Sequence, residues 1–165
     1  VQGIEAAGAD MITVHARTSA DRYKAPARWE WIAKIRESIN IPVIANGDIT
    51  DIDSFQQCQS ISGCDHFMIG RASVRHPYLA RRIRQSISGE PQKNIEWPEQ
   101  RAMLLQFSKI MQGSKKEIGS VSRVKKWLKI LTNGSENTQQ EAEILFDQIK
   151  KVTELDQLMQ IIRAT

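Results

Sequence analysis

Residues 41–45 read Ile-Pro-Val-Ile-Ala, a short apolar run, and the polar turn formers Asn-Gly-Asp follow it directly. Residues 11–15, Met-Ile-Thr-Val-His, and residues 66–69, His-Phe-Met-Ile, are two further runs of the same kind. Nearly continuous apolar runs, in contrast to alternating ones, are typical of parallel strands that are covered on both faces. These stretches therefore predict three parallel β-strands.

The segments between the three runs have the apolar period of a helix. Residues 29–39 and residues 51–61 both repeat large apolar side chains at this spacing. A strand, a helix and a further strand at this pitch predict βα repeats and an α/β fold. Three such units cannot close a barrel, so either five more units precede residue 1 or the sheet is a smaller, doubly wound one. The pattern leaves both possibilities open.

The sequence changes character after Gly89, where Pro91 and Pro98 mark a boundary. Every later segment has helical period, and the breaks between segments contain Gly-Ser and Asn-Gly. Four short helices of this kind predict a small helical bundle. We expect two domains, residues 1–90 and residues 91–165.

The composition restricts the class of protein. Of the 165 residues, 41% are hydrophobic and 25% are charged, which is typical of soluble globular proteins. The chain has neither an apolar run long enough for a membrane span nor a signal-peptide pattern. Two cysteines are too few for a disulfide framework and have no partner at metal-ligand spacing, so we expect a cytoplasmic protein without a metal site. The first residue is Val1, within a helical pattern, and the chain reads as a fragment.

Short motifs with polar residues lie where all three strands end, at residues 13–18, 45–49 and 68–72, and βα folds bind their ligands at this end of the strands. Asn46-Gly47-Asp48 is either a plain turn, with Asp48 helping to cap the next helix, or part of a ligand site. Gly70 would let a ligand approach the backbone closely, and Arg71 could bind a phosphate in bidentate fashion. If these are the last two strands of a barrel, the two motifs together form a phosphate site.

Other candidate residues carry less information. His15 ends the first strand, and it either contributes to a site or simply caps the strand by a hydrogen bond. Cys58 and Cys64 fall away from the strand ends, so packing is the better interpretation of both. Nothing in the sequence forms a recognisable nucleophile or proton donor, so we assign no catalytic residue to this chain.

Basic residues cluster in two regions. Residues 71–84 contain five arginines and no acid, and residues 109–129 contain seven basic residues against Glu117 alone. On the helix around Trp127 the basic side chains lie off the apolar stripe. They form either a merely solvated face or a surface that contacts the phosphate backbone of a nucleic acid.

Three motifs resemble the tRNA-dihydrouridine synthases: VHARTSADRYK at residues 14–24, IPVIANGDI at residues 41–49 and GCDHFMIGRA at residues 63–72. WPE at residues 97–99 and SRVKKWLKIL at residues 122–131 resemble the helical tRNA-binding domain of the C-type subfamily, which acts on uridine 16. The resemblance implies a TIM (β/α)8 barrel that binds FMN, followed by a helical domain that binds tRNA. The implied reaction is the NADPH-dependent reduction of the C5–C6 double bond of a tRNA uridine that is flipped out of its stack.

The resemblance also implies roles for individual residues. The cofactor-binding residues are His15, Asn46, Gly47, Asp48, Gly70 and Arg71, and the tRNA-binding residues are Tyr23, Arg123, Lys125 and Lys150. Ala16 and Ala72 stand where the family has glycine, and Ile130 stands where the subfamily has a tyrosine. The proton-donating cysteine of the family is expected upstream of this chain.

Three functions stay open from the sequence. The first is a dihydrouridine synthase with tRNA as its partner, a monomeric parent enzyme, and neither DNA nor a membrane as a partner. The second is a TIM-barrel isomerase or lyase that uses the same phosphate site on a phosphorylated metabolite. The third is a fragment that binds RNA without catalysis.

Overall fold

The computed structural model of the chain describes residues 1–18, 20, 26–113, 117–132 and 138–165. It contains two compact units, one made of residues 1–73 and 77–92 and the other of residues 74–76 and 93–165. In chain order the elements are α1 Gln2–Ala6, β1 Ile12–His15, α2 Trp29–Glu37, β2 Val43–Asn46, α3 Ile52–Ser62, β3 His66–Met68, α4 Arg71–Arg75, α5 Leu79–Ser88, α6 Trp97–Gln112, α7 Glu117–Leu131, α8 Gln139–Ile149 and α9 Leu155–Ala164.

The described strands form one parallel sheet in the order β1-β2-β3, which confirms the predicted α/β fold with three parallel strands. The register pairs Ile12 with Val43 at one end of β1 and β2. β2 begins two residues later than the apolar run suggests, and it includes Asn46. Pro42 has no N–H to donate to a neighbouring strand, and it lies just before the strand with its carbonyl accepting the N–H of Ile12 at 3.0 Å.

The core of the first unit lies on one face of this sheet. Val43 and Ala45 are buried against helices that contribute Ile32, Phe55 and Cys58, and the ring of Phe55 packs edge-on against Phe67. The residues that alternate with them along the strands are more exposed. Among the described residues, the opposite face is the more exposed one and is called the uncovered face; it carries Thr13 and His15 from β1, Ile44 and Asn46 from β2, and His66 and Met68 from β3.

Asp51 caps the N-terminus of helix α3. Asp51 is the N-cap and accepts the N–H of Ser54 at 2.7 Å, while the hydroxyl of Ser54 accepts the N–H of Asp51 at 3.0 Å. This is a capping box. The suggestion that Asp48 helps to cap this helix is therefore wrong, because Asp48 lies outside the box and its carboxylate binds elsewhere. Gly63 ends the helix with a left-handed φ of 63°.

The second unit has its own core, formed by α6, α7, α8 and α9. Its fully buried side chains include Val124 and Leu128 from α7, Leu145 from α8 and Leu158 from α9. Residues 74–76 belong to this unit, and the indole N–H of Trp127 donates to the carbonyl of Val74 at 2.9 Å. Among the helices of the described ranges, none has both the length and the apolar character that crossing a bilayer requires.

Both cysteines lie in the core of the first unit as free thiols, which confirms that they serve packing. Cys58 is fully buried in α3, and burial raises the pKa of its thiol to about 11. A thiolate, not a thiol, is the nucleophile in alkylation and disulfide exchange. At neutral pH the folded protein therefore presents almost no reactive form of Cys58.

We expect both cysteines to resist thiol–disulfide exchange in the folded state. At pH 8 an aromatic disulfide reagent should modify them at least about 100-fold more slowly than in denaturant, since reaction requires both exposure and a thiolate. Absorbance of the released thiol measures both rates. Rapid modification of the native protein at either cysteine would contradict the described packing.

Candidate functional site

Three strand ends meet at one edge of the sheet. His15 is the register partner of Asn46, and Asn46 is the register partner of Met68. Register partners in a sheet point to the same face, and neighbouring strands lie about 4.8 Å apart. The side chain of Asn46 donates from Nδ2 to the carbonyl of Met68 at 3.0 Å. His15 and Asn46 thus stand side by side on the uncovered face, and Met68 adds an apolar side chain that the sequence motifs did not single out.

Gly47 turns the chain immediately after Asn46. Its φ of 129° lies in a region that side chains rarely adopt, and a Cβ atom here would lie 3.2 Å from the Cβ of Ala27. Its carbonyl accepts the indole N–H of Trp29 at 2.8 Å. The turn after β2 therefore packs its backbone directly against the segment that leads into α2, and only glycine fits there without strain.

Asp48 uses its carboxylate inside the protein. One oxygen pairs with the Nη2 of Arg17, and the other accepts the backbone N–H of Ala27 at 2.7 Å. The side chain of Arg17 is only 3% exposed, and that of Asp48 is 22% exposed. Asp48 also has a positive φ of 53°, which is uncommon outside glycine. The carboxylate of Asp48 therefore links the segment that follows β2 to the segment that follows β1.

Arg17 is the residue that the motif-based assignment missed. It follows the end of β1 by two residues, and its buried Nε and Nη1 atoms have no hydrogen-bond partner among the described residues. A buried guanidinium is rarely left without acceptors, because each unmade hydrogen bond to a charged group is costly. The signal available in the sequence was an arginine just past one strand end and an aspartate just past the next.

Gly70 and Arg71 follow β3 and lead into the short helix α4. Apart from its chain neighbours, none of the described residues would come within 4 Å of a Cβ atom on Gly70, so they leave the space beside this backbone open. The hydroxyl of Ser73 donates to the carbonyl of Ile69 at 3.2 Å. Since α4 has only five residues, attraction of an anion here depends mainly on the exposed guanidinium of Arg71.

The predicted tRNA-binding residues lie in different surroundings. Tyr23 is outside the described residues. Arg123 is exposed on α7. The ammonium of Lys125 donates to the carbonyls of Lys150, at 2.9 Å, and of Val152. Lys125 and Lys150 are thus neighbours, but the contact runs through the backbone of Lys150.

The side chain of Lys150 makes an ion pair of its own. Its ammonium lies 2.8 Å from Asp147, one turn back in the same helix, and it holds the pKa of that carboxyl below its usual range. Both side chains are well exposed, so the pair contributes little to stability. Lys150 could exchange this partner for another anion at small cost.

The chemistry of the strand-end residues is better suited to binding a ligand than to reacting with one. His15 and Asn46 offer hydrogen-bonding groups on an uncovered face, Gly47 and Asp48 fix the turn, and Gly70 leaves open space beside a cation. An exposed imidazole and an amide can orient a planar polar ligand. An arginine beside an open backbone is suited to a phosphate.

Comparison with known proteins supports one family. The family model described as dihydrouridine synthase (Dus) matches residues 1–164. A "tRNA-dihydrouridine(16) synthase" of Aquipseudomonas alcaligenes is 36% identical over 158 residues, which cover 94% of this chain and 48% of the relative. Proteins of the same name from Neisseria meningitidis serogroup A and Escherichia coli O157:H7 are 39% identical over 160 residues and 36% identical over 162 residues.

These alignments cover 95% and 98% of this chain, but 46% and 48% of the two relatives. The chain therefore spans about half the length of the curated relatives it matches. The match to the family model runs through both units and includes every strand end described above. The chain belongs to the dihydrouridine synthase family.

Proposed function

We propose that the protein carrying this chain reduces uridine to 5,6-dihydrouridine in tRNA, at position 16, with FMN as cofactor and NADPH as reductant. The observation that carries the proposal is the edge of the sheet, where the register places His15 beside Asn46, next to the Gly47-Asp48 turn. The names of the aligned relatives support both the reaction and the position. The sheet and the helices that follow it would be the last part of a (β/α)8 barrel.

The residues at this edge fit a flavin mononucleotide. The imidazole of His15 and the amide of Asn46 lie on the uncovered face, where they can hydrogen-bond to the ring system. The open space beside Gly70 and the guanidinium of Arg71 suit the phosphate. Because the carboxylate of Asp48 is occupied by Arg17 and Ala27, Asp48 would act on the cofactor through the shape of its turn.

A bound flavin would supply the hydride that reduces the C5–C6 double bond. The residues of this chain would bind and orient. His15 and Asn46 would fix the plane of the ring, and Arg71 would hold its phosphate end at the strand edge. The Arg17–Asp48 pair would keep the ends of β1 and β2 at a constant separation.

The helical unit would bind the substrate. In this proposal the barrel part comprises residues 1–90, and residues 91–165 form a small helical bundle that contacts tRNA. The excess of basic residues between Lys109 and Lys129 supports a polyanionic partner. A uridine must leave its stack to reach a flavin, so binding of the surrounding tRNA has to hold the distorted conformation.

We expect the intact protein to purify with yellow, flavin-like absorbance, and Arg71→Ala to weaken binding of FMN. Loss of a bidentate guanidinium–phosphate contact should reduce affinity about 10- to 100-fold. Quenching of flavin fluorescence measures the dissociation constant. Riboflavin, which lacks the phosphate, is the matched control ligand, and its affinity should be the same in both proteins.

The reaction itself is tested on an unmodified tRNA transcript with NADPH, by mass spectrometry of the nucleosides. A gain of two hydrogens on a uridine at position 16 is the expected product. A protein that binds no flavin, or that binds FMN and riboflavin equally before and after Arg71→Ala, would count against the assigned cofactor site.

A further inference from the structure

The short helix α4 follows β3 and carries Arg71 as its first residue. None of its five residues is buried, and the side chain of Val74 is 47% exposed. The hydrogen bonds of Ser73 are local, because its N–H donates to the carbonyl of Gly70 at 3.0 Å and its hydroxyl to that of Ile69. Burial alone therefore does not fix the position of α4, and polar contacts with more distant segments become important.

Trp127 of α7 provides such a contact. Its indole N–H donates to the carbonyl of Val74 at 2.9 Å, from 53 residues away in the sequence. The last four carbonyls of a helix have no N–H partner within that helix, and in a helix of five residues Val74 is among them. The indole of Trp127 therefore satisfies a carbonyl at the end of α4.

The ring of Trp127 is held by neighbours of its own. It packs edge-on against Phe107 of α6, with the two ring centroids 4.8 Å apart and the planes at 75°. It also packs against the core of the second unit, to which α7 contributes Val124 and Leu128. A packed ring presents its N–H in one direction, so it restrains the carbonyl of Val74 more than a mobile side chain would.

Val74 and Arg71 are close neighbours on α4. They are three residues apart, so they lie on the same side of the helix and about 4.5 Å apart along its axis. A shift of α4 at Val74 would move the backbone of Arg71 by a similar distance. Residues 71–73 belong to the first unit and Val74 to the second, so this one helix connects the end of β3 to the carbonyl that Trp127 binds.

We propose that Trp127 is a positioning residue for the phosphate site, because its hydrogen bond to Val74 holds α4 where the guanidinium of Arg71 meets the phosphate of FMN. Trp127 does not touch the cofactor in this inference. The inference rests on the proposed function for its ligand, FMN. It gives a residue of the helical unit a part in cofactor binding that is separate from any contact of that unit with tRNA.

Trp127→Phe removes the indole N–H and keeps an aromatic ring beside Phe107. Trp97→Phe is the matched control, since it changes another partly buried tryptophan of the second unit whose indole nitrogen has no hydrogen-bond partner among the described residues. Quenching of flavin fluorescence measures the dissociation constants of FMN and of riboflavin for the intact protein. The two ligands differ only in the phosphate, and the thermal unfolding temperature is measured without either.

Trp127→Phe should weaken binding of FMN about 3- to 10-fold and leave the affinity for riboflavin within about 1.5-fold of the wild-type value. Trp97→Phe should change neither affinity. In a protein that already carries Arg71→Ala, Trp127→Phe should have no further effect, because the group that it positions is absent. Unchanged FMN affinity in Trp127→Phe, or an equal loss for the two ligands, would overturn the inference.

A tryptophan analogue keeps the test decisive if Trp127→Phe does not fold. Benzothienylalanine has sulfur in place of the indole N–H, so at position 127 it keeps the shape of the ring and removes the hydrogen-bond donor. It should weaken FMN binding by the same factor and leave riboflavin binding unchanged. Wild-type affinity for FMN with the analogue at this position would contradict the role of Trp127.

The same measurements separate this inference from the proposed function. If the wild-type protein binds FMN no more tightly than riboflavin, the phosphate site itself is wrong, and the proposed cofactor site fails together with the inference. If the wild-type protein prefers FMN and loses this preference with Arg71→Ala but not with the analogue at position 127, only the role of Trp127 fails.

Discussion

Asp48→Ala is expected to destabilise the first unit by about 3 to 5 kcal/mol, the cost of breaking a buried ion pair by removing one partner. The variant leaves the guanidinium of Arg17, only 3% exposed, without its counter-charge. It also removes the acceptor of the Ala27 N–H. Denaturant unfolding followed by circular dichroism measures the change, and FMN affinity should fall with it, because the turn that follows β2 loses its tie to β1.

Two further variants identify the cause. Asp65→Ala removes an exposed carboxylate just before β3, and it should change stability by less than about 0.5 kcal/mol. Combining Asp48→Ala with Arg17→Met removes the stranded charge, so the double variant should be more stable than Asp48→Ala alone. If the double variant is less stable than Asp48→Ala, the loss does not come from an unpaired arginine.

The role of Asp48 could not be predicted from the local sequence. The strands, the helices between them and the positions of the strand ends follow from local apolar periodicity, which the chain carries plainly. The partner of Asp48 is Arg17, 31 residues away, and the pair exists only because β1 and β2 lie side by side in register. The motif Asn46-Gly47-Asp48 suggested a turn or a ligand contact for Asp48. In the packed sheet Asp48 has a third role, the ion pair with Arg17.

The basic helix shows the same limit in another form. The helical period separates Arg123, Lys125 and Lys126 from the buried stripe, and from the sequence alone the three residues belong to one charged face. Which of them reaches a carbonyl depends on where α8 ends relative to α7. The helix periods could be predicted from the sequence. The hydrogen bonds of Lys125 to backbone carbonyls beyond the end of α8 could not, because they depend on how the two helices pack.

Gly47→Ala is expected to destabilise the first unit by about 2 to 4 kcal/mol. The φ of 129° imposes strain on any side chain, typically of about 1 to 3 kcal/mol. The new Cβ would also lie 3.2 Å from the Cβ of Ala27, which is tighter than normal contact. The strain falls on the turn between Asn46 and Asp48, so FMN affinity should decrease together with stability. Denaturant unfolding and flavin fluorescence are measured on the same samples.

Gly70→Ala is the matched control, because it adds the same methyl group where none of the described residues beyond the chain neighbours of Gly70 lies within 4 Å, and the φ of Gly70 is not positive. Its stability should change by less than about 0.5 kcal/mol. If the phosphate of FMN approaches the backbone at Gly70, the added methyl group lowers FMN affinity without destabilising the fold. If Gly47→Ala and Gly70→Ala destabilised the protein equally, the positive φ and the close contact with Ala27 would not explain the effect at Gly47. If a stable Gly70→Ala variant kept its FMN affinity, the phosphate would not lie against the backbone of Gly70. Arg71 would then have to reach the phosphate with its extended side chain.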